Sequence, residues 1–140
     1  MTRFFDHEKL RVYQEAIRFV GWVHHVLERT PKGVAARGHL DEASTSIALN
    51  IAEGNGKFTA PDRCRYFDIA RGSTLECAAC LDVLVAKAIL AAEEAAPGKE
   101  MLVNVVSMLV GLIKTTSPVR VHEGAAAYGS EDEKENGDYD

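Results

Sequence analysis

The stretch Ser46-Ile47-Ala48-Leu49-Asn50-Ile51-Ala52-Glu53-Gly54-Asn55-Gly56-Lys57 decides how this chain folds. Ile47, Ile51 and Gly54 fall on one helical face, with Ala43 and Leu40 one and two turns upstream. Ser46, Asn50 and Glu53 form a polar stripe beside that seam. Gly54 is expected to take the left-handed conformation that closes a helix, and a tight loop follows it. Asn and Glu next to an apolar seam need partners, because burying them unpaired costs about 1–3 kcal/mol each. The next helix carries Arg71-Gly72-Ser73-Thr74-Leu75-Glu76. Asn50, Glu53, Arg71, Ser73 and Glu76 therefore read as a polar network that sets helix register, with a binding surface near the loop as the alternative.

Working outward, the spacing predicts a helix from about His7 to Glu28, with Asp6 as its N-cap. It carries two apolar stripes. Leu10, Tyr13, Ile17, Val20, His24 and Leu27 make the first; Val12, Ala16, Phe19, Val23 and Val26 make the second, with Trp22 at the border. The second helix spans Val34 or Ala36 to Glu53. The third starts at Thr59, with Pro61 in its first turn and Asp62 three residues after the cap, and continues to about Ala92. Its inner seam is Phe67, Ala70, Thr74, Cys77, Leu81 and Leu84; a second seam of Ile69, Gly72, Ala79, Val83 and Ala86 lies nearly opposite. Pro97-Gly98 reads as a turn, and a fourth helix is expected from about Lys99 to Thr116, with Leu102, Val105, Val106, Leu109, Leu112 and Ile113 inward. No stretch alternates with period two for long enough to make a strand. The expected fold is all-α: an up-down-up-down antiparallel four-helix bundle over 1–118, followed by a flexible, disordered acidic tail over 119–140.

The Ser46–Gly56 block resembles the SI-x-x-NIAEG-x-G signature of the small four-helix-bundle proteins encoded within 23S rRNA intervening sequences. Arg65-Tyr66-Phe67-Asp68-Ile69-Ala70-Arg71-Gly72-Ser73 with Glu76 resembles that family's RF-x-x-IARGS-x-x-E block, and Phe5 to Ala16 resembles its first helix. The likeness covers roughly residues 5 to 115. It implies an S23-like oligomeric scaffold that engages RNA or a nucleic-acid enzyme. Related accessory variability determinant proteins of diversity-generating retroelements form pentameric barrels, so it also implies a homopentamer. One departure stands out: Asp41-Glu42 occupy the place where the family usually carries a basic pair.

Net charge is −5, and it belongs to the tail. Residues 120–140 hold seven acids (Glu123, Glu131, Asp132, Glu133, Glu135, Asp138, Asp140) against Arg120 and Lys134, which leaves residues 1–119 neutral. A neutral core argues against strong nucleic-acid binding, which needs a basic surface. Basic residues do cluster near the start of the third helix (Lys57, Arg63, Arg65, Arg71), and Arg11 and Arg18 share a face of the first. A solvated charged face and an RNA contact surface both fit these six. Cys64, Cys77 and Cys80 read as reduced thiols. No leader is expected at Met1 to Leu10, and the apolar run Met101 to Ile113 is shorter than the ~20 residues of a spanning helix, so a cytoplasmic protein away from membranes is expected.

No catalytic constellation emerges, and no metal or cofactor is expected. Cys77-Ala-Ala-Cys80 has the CxxC spelling, but it lies within a helix rather than at a helix N-terminus after a strand, so small core thiols are the simpler reading. His24 and Glu28 offer two ligands at most. Gly54-Asn55-Gly56-Lys57 matches no phosphate-loop pattern. Helices 1, 3 and 4 carry more apolar surface than a monomeric bundle uses, which predicts self-association through Phe19, Trp22, Val23, Val26, Ile69, Gly72, Ala79 and Val83. A protein-binding adaptor and a small-molecule or metal-binding bundle enzyme remain the alternatives.

Overall fold

Residues three and four apart carry the core, as helical geometry requires. A computed structural model describes residues 3–117; the acidic tail expected over 119–140 lies outside the described residues. Among the described residues the elements are a short 3-10 turn (Asp6–Lys9) and the helices α1 (Arg11–Arg29), α2 (Ala35–Gly56), α3 (Ala60–Ala86) and α4 (Ala92–Thr116). Each helix lies beside two others, with α1 and α3 on one diagonal of the bundle and α2 and α4 on the other. Consecutive helices run antiparallel. Going up α2, His39, Ser46 and Gly54 meet Glu76, Ser73 and Phe67, in descending order along α3. On the other side Glu15, Trp22 and Arg29 of α1 meet Asn104, Gly98 and Glu94 of α4. The architecture is the expected all-α four-helix bundle.

The expected inner seam of α3 is fully enclosed: Phe67, Ala70, Thr74, Cys77, Leu81 and Leu84 are all at 0% exposure. Thr74 is accommodated there because its hydroxyl donates to the Ala70 carbonyl at 2.8 Å. On α1 the two stripes behave differently from each other. Val12, Ala16, Phe19, Val23 and Val26 are buried, whereas Ile17 is exposed and Leu10, Tyr13 and Val20 only half covered. Phe19, Val23 and Val26, expected at an oligomer interface, are therefore core residues of the single chain. Trp22 is half-buried against Gly98 of α4.

Three boundaries differ from the sequence reading. The first helix does not start at His7. The Glu8 carboxylate accepts the backbone N–H groups of Phe4 and Phe5, which closes the 3-10 turn, and Leu10 is extended (φ −71°, ψ 127°) before α1 begins. At the C-terminal end of α2 the helix runs through Gly54 to Gly56 and stops at Lys57, whose φ of −77° is not left-handed. Gly54 serves close packing instead. A Cβ there would stand 2.7 Å from Phe67 Cε1 and 3.0 Å from Tyr66 Cβ, so the absence of a side chain is what lets α3 approach.

The third difference is the α3–α4 junction. α3 ends at Ala86, and Ala88 is left-handed at φ 59°. Ala88 N–H reaches the Val85 carbonyl and Ile89 N–H the Leu84 carbonyl, each at 3.0 Å, which is the bonding of a Schellman stop with Ala in the usual glycine position. Glu94 accepts the Ala91 N–H at 3.1 Å and starts α4 there, so Pro97-Gly98 lies inside the helix. With 25 residues, α4 is long and apolar enough to cross a membrane by length and composition, unlike the shorter run read from sequence. In this fold Leu102, Val105, Val106, Leu109 and Ile113 are buried against the bundle.

Candidate functional site

The end of the bundle that holds the α2–α3 loop gathers most of the candidate cations. Thr59 caps α3 by accepting the Asp62 N–H at 3.3 Å, so the loop Lys57–Thr59 is short and both helix ends are held together. Lys57 Nζ sits 4.9 Å above the centre of the Tyr66 ring, and the Arg65 guanidinium lies 5.1 Å from it. A cation over a ring keeps its charge and its donors while its position is restrained. Arg65 also pairs with Asp62 at 3.9 Å. Arg63 lies three residues before Tyr66, on the same side of the helix, and its Nε is buried without a hydrogen-bond partner.

The chain's N-terminal segment reaches the same end. Asn55 Nδ2 donates to Asp6 Oδ2 at 3.0 Å, which ties the 3-10 turn to the last turn of α2. Arg11, exposed at the start of α1, belongs to this end by the antiparallel topology. Arg18 lies two turns away and is paired with Glu15 at 2.8 Å. Arg71 is half-buried, eight residues beyond Arg63 or about 12 Å along the helix axis. The structure thus places Arg11, Lys57, Arg63 and Arg65 at one end of the bundle, with Lys57 and Arg65 sharing the Tyr66 ring, and leaves Arg18 and Arg71 farther along it.

Sequence reasoning missed the aromatic residues of this end. Phe58 is completely exposed, and Phe4 and Phe5 are 82% and 67% exposed. A phenylalanine in a short polar loop, directly after a lysine, was the available signal. Phe5 stacks on His7, whose ring meets Tyr13 edge-on at 4.7 Å.

The polar network between α2 and α3 is smaller than expected. Ser46 Oγ lies 2.8 Å from Ser73 Oγ, and Asn50 Nδ2 donates back to the Ser46 carbonyl at 2.8 Å and to its hydroxyl at 3.0 Å. Ser46, rather than Glu53, is the link. Glu76 points to His39 at 3.7 Å, with both side chains exposed, and Glu53 is exposed. Asp41, Glu42, Thr45, Ser46, Leu49, Asn50 and Glu53 line an open concavity of about 420 Å³ on the outer face of α2.

Other candidate chemistry is weak. Cys64, Cys77 and Cys80 are buried free thiols. Burial, with smaller contributions from Cys80 and Glu76, pushes the Cys77 thiol up to about 12, so it does not supply a thiolate at neutral pH. His24 and Glu28 are exposed partners at 3.0 Å, and no group of three or more potential metal ligands occurs among the described residues.

The family model of the 23S rRNA-intervening sequence proteins matches residues 8–111. The chain belongs to that family. The match spans the bundle from the 3-10 turn to the last turns of α4. Among solved structures, the fold is similar to a protein of unknown function from the S23 ribosomal protein family of Bacteroides thetaiotaomicron. The TM-score is 0.69 at 18% identity, covering 74% of this chain and 98% of that one. No curated protein matches the chain. For this member of the 23S rRNA-intervening sequence family, the solved structure supports the fold, and the cationic end rests on the geometry above.

Proposed function

We propose that this protein is a non-catalytic, self-associating helical scaffold in the cytoplasm that presents its cationic end to nucleic acid, RNA first of all. The observation that carries this reading is a pair of cations held on one ring: Lys57 Nζ lies 4.9 Å and the Arg65 guanidinium 5.1 Å from the centre of Tyr66. Restrained there with their charge and donors intact, they suit phosphate oxygens, which accept strong hydrogen bonds from cationic donors. Free thiols at Cys64, Cys77 and Cys80 fit a reducing compartment.

Self-association rests on the outer face of α3. Ile69, Gly72, Ala79 and Val83 are exposed there, while Phe19, Val23 and Val26 are used up by the core. Leu49 on α2, beside the Ser46–Ser73 contact, is 57% exposed and extends the apolar strip. Five copies are the number proposed, carried over from the relation of the resembled family to accessory variability determinant proteins. Several copies of a modest cationic site bind more tightly than one without any new contact. A second reading, a protein-binding adaptor, is favoured by the α2 concavity, where Leu49 sits among Asp41, Glu42 and Glu53.

Light scattering and filter binding at low salt test the proposal together. An oligomer at micromolar concentration and weak, steeply salt-dependent binding to structured RNA are expected, with the binding lost on reversing Arg63 and Arg65 to Glu. A monomer removes the scaffold; no binding to structured RNA or duplex DNA leaves the adaptor as the better reading.

A further inference from the structure

One end of the bundle combines uncovered aromatic rings with cations in a way that phosphate contacts alone do not use. Phe58 has no protein covering its ring, and Phe4 and Phe5 are largely uncovered. Two of the three adjoin a cation in sequence: Lys57 precedes Phe58, and Arg3 precedes Phe4. The Asn55–Asp6 bond holds the N-terminal pair at the same end as the loop. The segment is ordered by named contacts, since Glu8 accepts both the Phe4 and Phe5 N–H groups. Those bonds also lower the Glu8 carboxyl below its ordinary range, so it stays ionised in a fixed place.

We infer that Phe58, supported by Phe4 and Phe5, is a stacking platform for the unpaired bases of a single-stranded nucleic acid whose phosphates engage Lys57, Arg63 and Arg65. The inference rests on the nucleic-acid reading of this end and narrows its ligand to unpaired strand. The occupant follows from charge. An apolar protein partner would be matched by apolar surroundings, whereas the segments that carry these rings hold six cations (Arg3, Lys9, Arg11, Lys57, Arg63, Arg65) against four acids (Asp6, Glu8, Glu53, Asp62), an excess that suits a polyanion. A base offers a flat face to a ring and a phosphate to the neighbouring cation, and this combination recurs in single-strand binding. In a duplex the base faces are stacked on each other and unavailable, so an exposed ring gains little there.

The test is fluorescence anisotropy of the full chain at low salt, with a short labelled RNA of mixed sequence, single-stranded or annealed to its complement. The Phe58 ring touches no core residue, so Phe58→Ala should melt like the parent protein. It should weaken the single strand by about fivefold or more and leave the duplex unchanged. Phe58→Tyr should retain the parent affinity. Lys57→Glu with Arg65→Glu should weaken both probes. If Phe58→Ala leaves single-strand affinity unchanged, or weakens both probes equally, the stacking platform is wrong and the cationic reading survives on the charge reversals. If the parent protein binds neither probe, the nucleic-acid reading itself falls and the platform with it.

Discussion

Gly54 lies against the ring of Phe67, with room for a hydrogen and none for a methyl: a Cβ would stand 2.7 Å from Cε1 and 2.9 Å from Cδ1. Phe67 is wholly enclosed, so its ring has nowhere to retreat. Ala is the better helix former by about 1 kcal/mol, but overpacking a core site costs about 1–3 kcal/mol. Gly54→Ala is therefore expected to lower stability by up to about 2 kcal/mol in urea unfolding. Gly98→Ala, whose Cβ would overlap the Trp22 ring at 2.2 Å, should behave in the same direction. Gly56→Ala, with nothing within 4 Å, is the control and should not destabilise.

At the end of α3 the opposite substitution is expected to help. Ala88 holds a left-handed φ of 59° in a stop that glycine usually fills. Glycine removes the Cβ clash but adds chain entropy to the unfolded state. Ala88→Gly should raise stability by a few tenths to about 1 kcal/mol, read as a higher urea midpoint with an unchanged slope.

Acid should weaken the fold through two exposed carboxylates. Arg29, then the Ala91 N–H, holds Glu94 below the ordinary carboxylate range; the Phe5 and Phe4 N–H groups do the same for Glu8. A carboxyl depressed in the folded state contributes stability above its unfolded pKa and loses it as the pH falls through the folded value. The contribution is therefore present at neutral pH and disappears on the acid side of the usual carboxylate range. Glu94→Gln should flatten that limb of a pH–stability curve, and high salt should reduce the difference because both groups face solvent.

The acidic tail should oppose binding. Residues 121–140 carry the seven acids against Lys134 alone, enough to compete with phosphates for the cationic end. Deleting them should strengthen binding to structured RNA at low salt and leave the helical circular dichroism of the bundle unchanged. Weaker binding on deletion, or loss of helicity, would mean that the tail belongs to the fold or to the binding surface.

The polar contact between α2 and α3 shows how far spacing alone could reach. Ser46, Asn50 and Ser73 were on the right faces, and the short loop made their meeting predictable. Replacing Asn50 by Leu removes the two bonds to Ser46 and should cost about a kcal/mol, measurable by thermal melting. Glu53, on the same stripe, stays in solvent because it lies on the open face of α2 with Asp41, Glu42 and Leu49, while Gly54 beside it meets α3.

The sequence by itself determined the four helices, the inner seams of α3 and α4, the Thr59 cap and the pairing of α2 with α3. These follow from periodicity and local hydrogen bonding, which act within a few residues. Only the tertiary structure decided which stripe of α1 turns inward. Both are comparably apolar, and the choice depends on what α2 and α4 present to Phe19 and Val23. The same holds for Gly54 and Gly98, whose role is set by the distant rings of Phe67 and Trp22 rather than by their own backbone freedom. The α3 stop at Ala88 carries no glycine to announce it, and Pro97 was a false marker because α4 is already capped by Glu94. Phe4, Phe5, Arg11, Lys57 and Phe58 share one end of the bundle because antiparallel packing returns the chain there, a consequence of helix lengths and contacts that no local pattern contains.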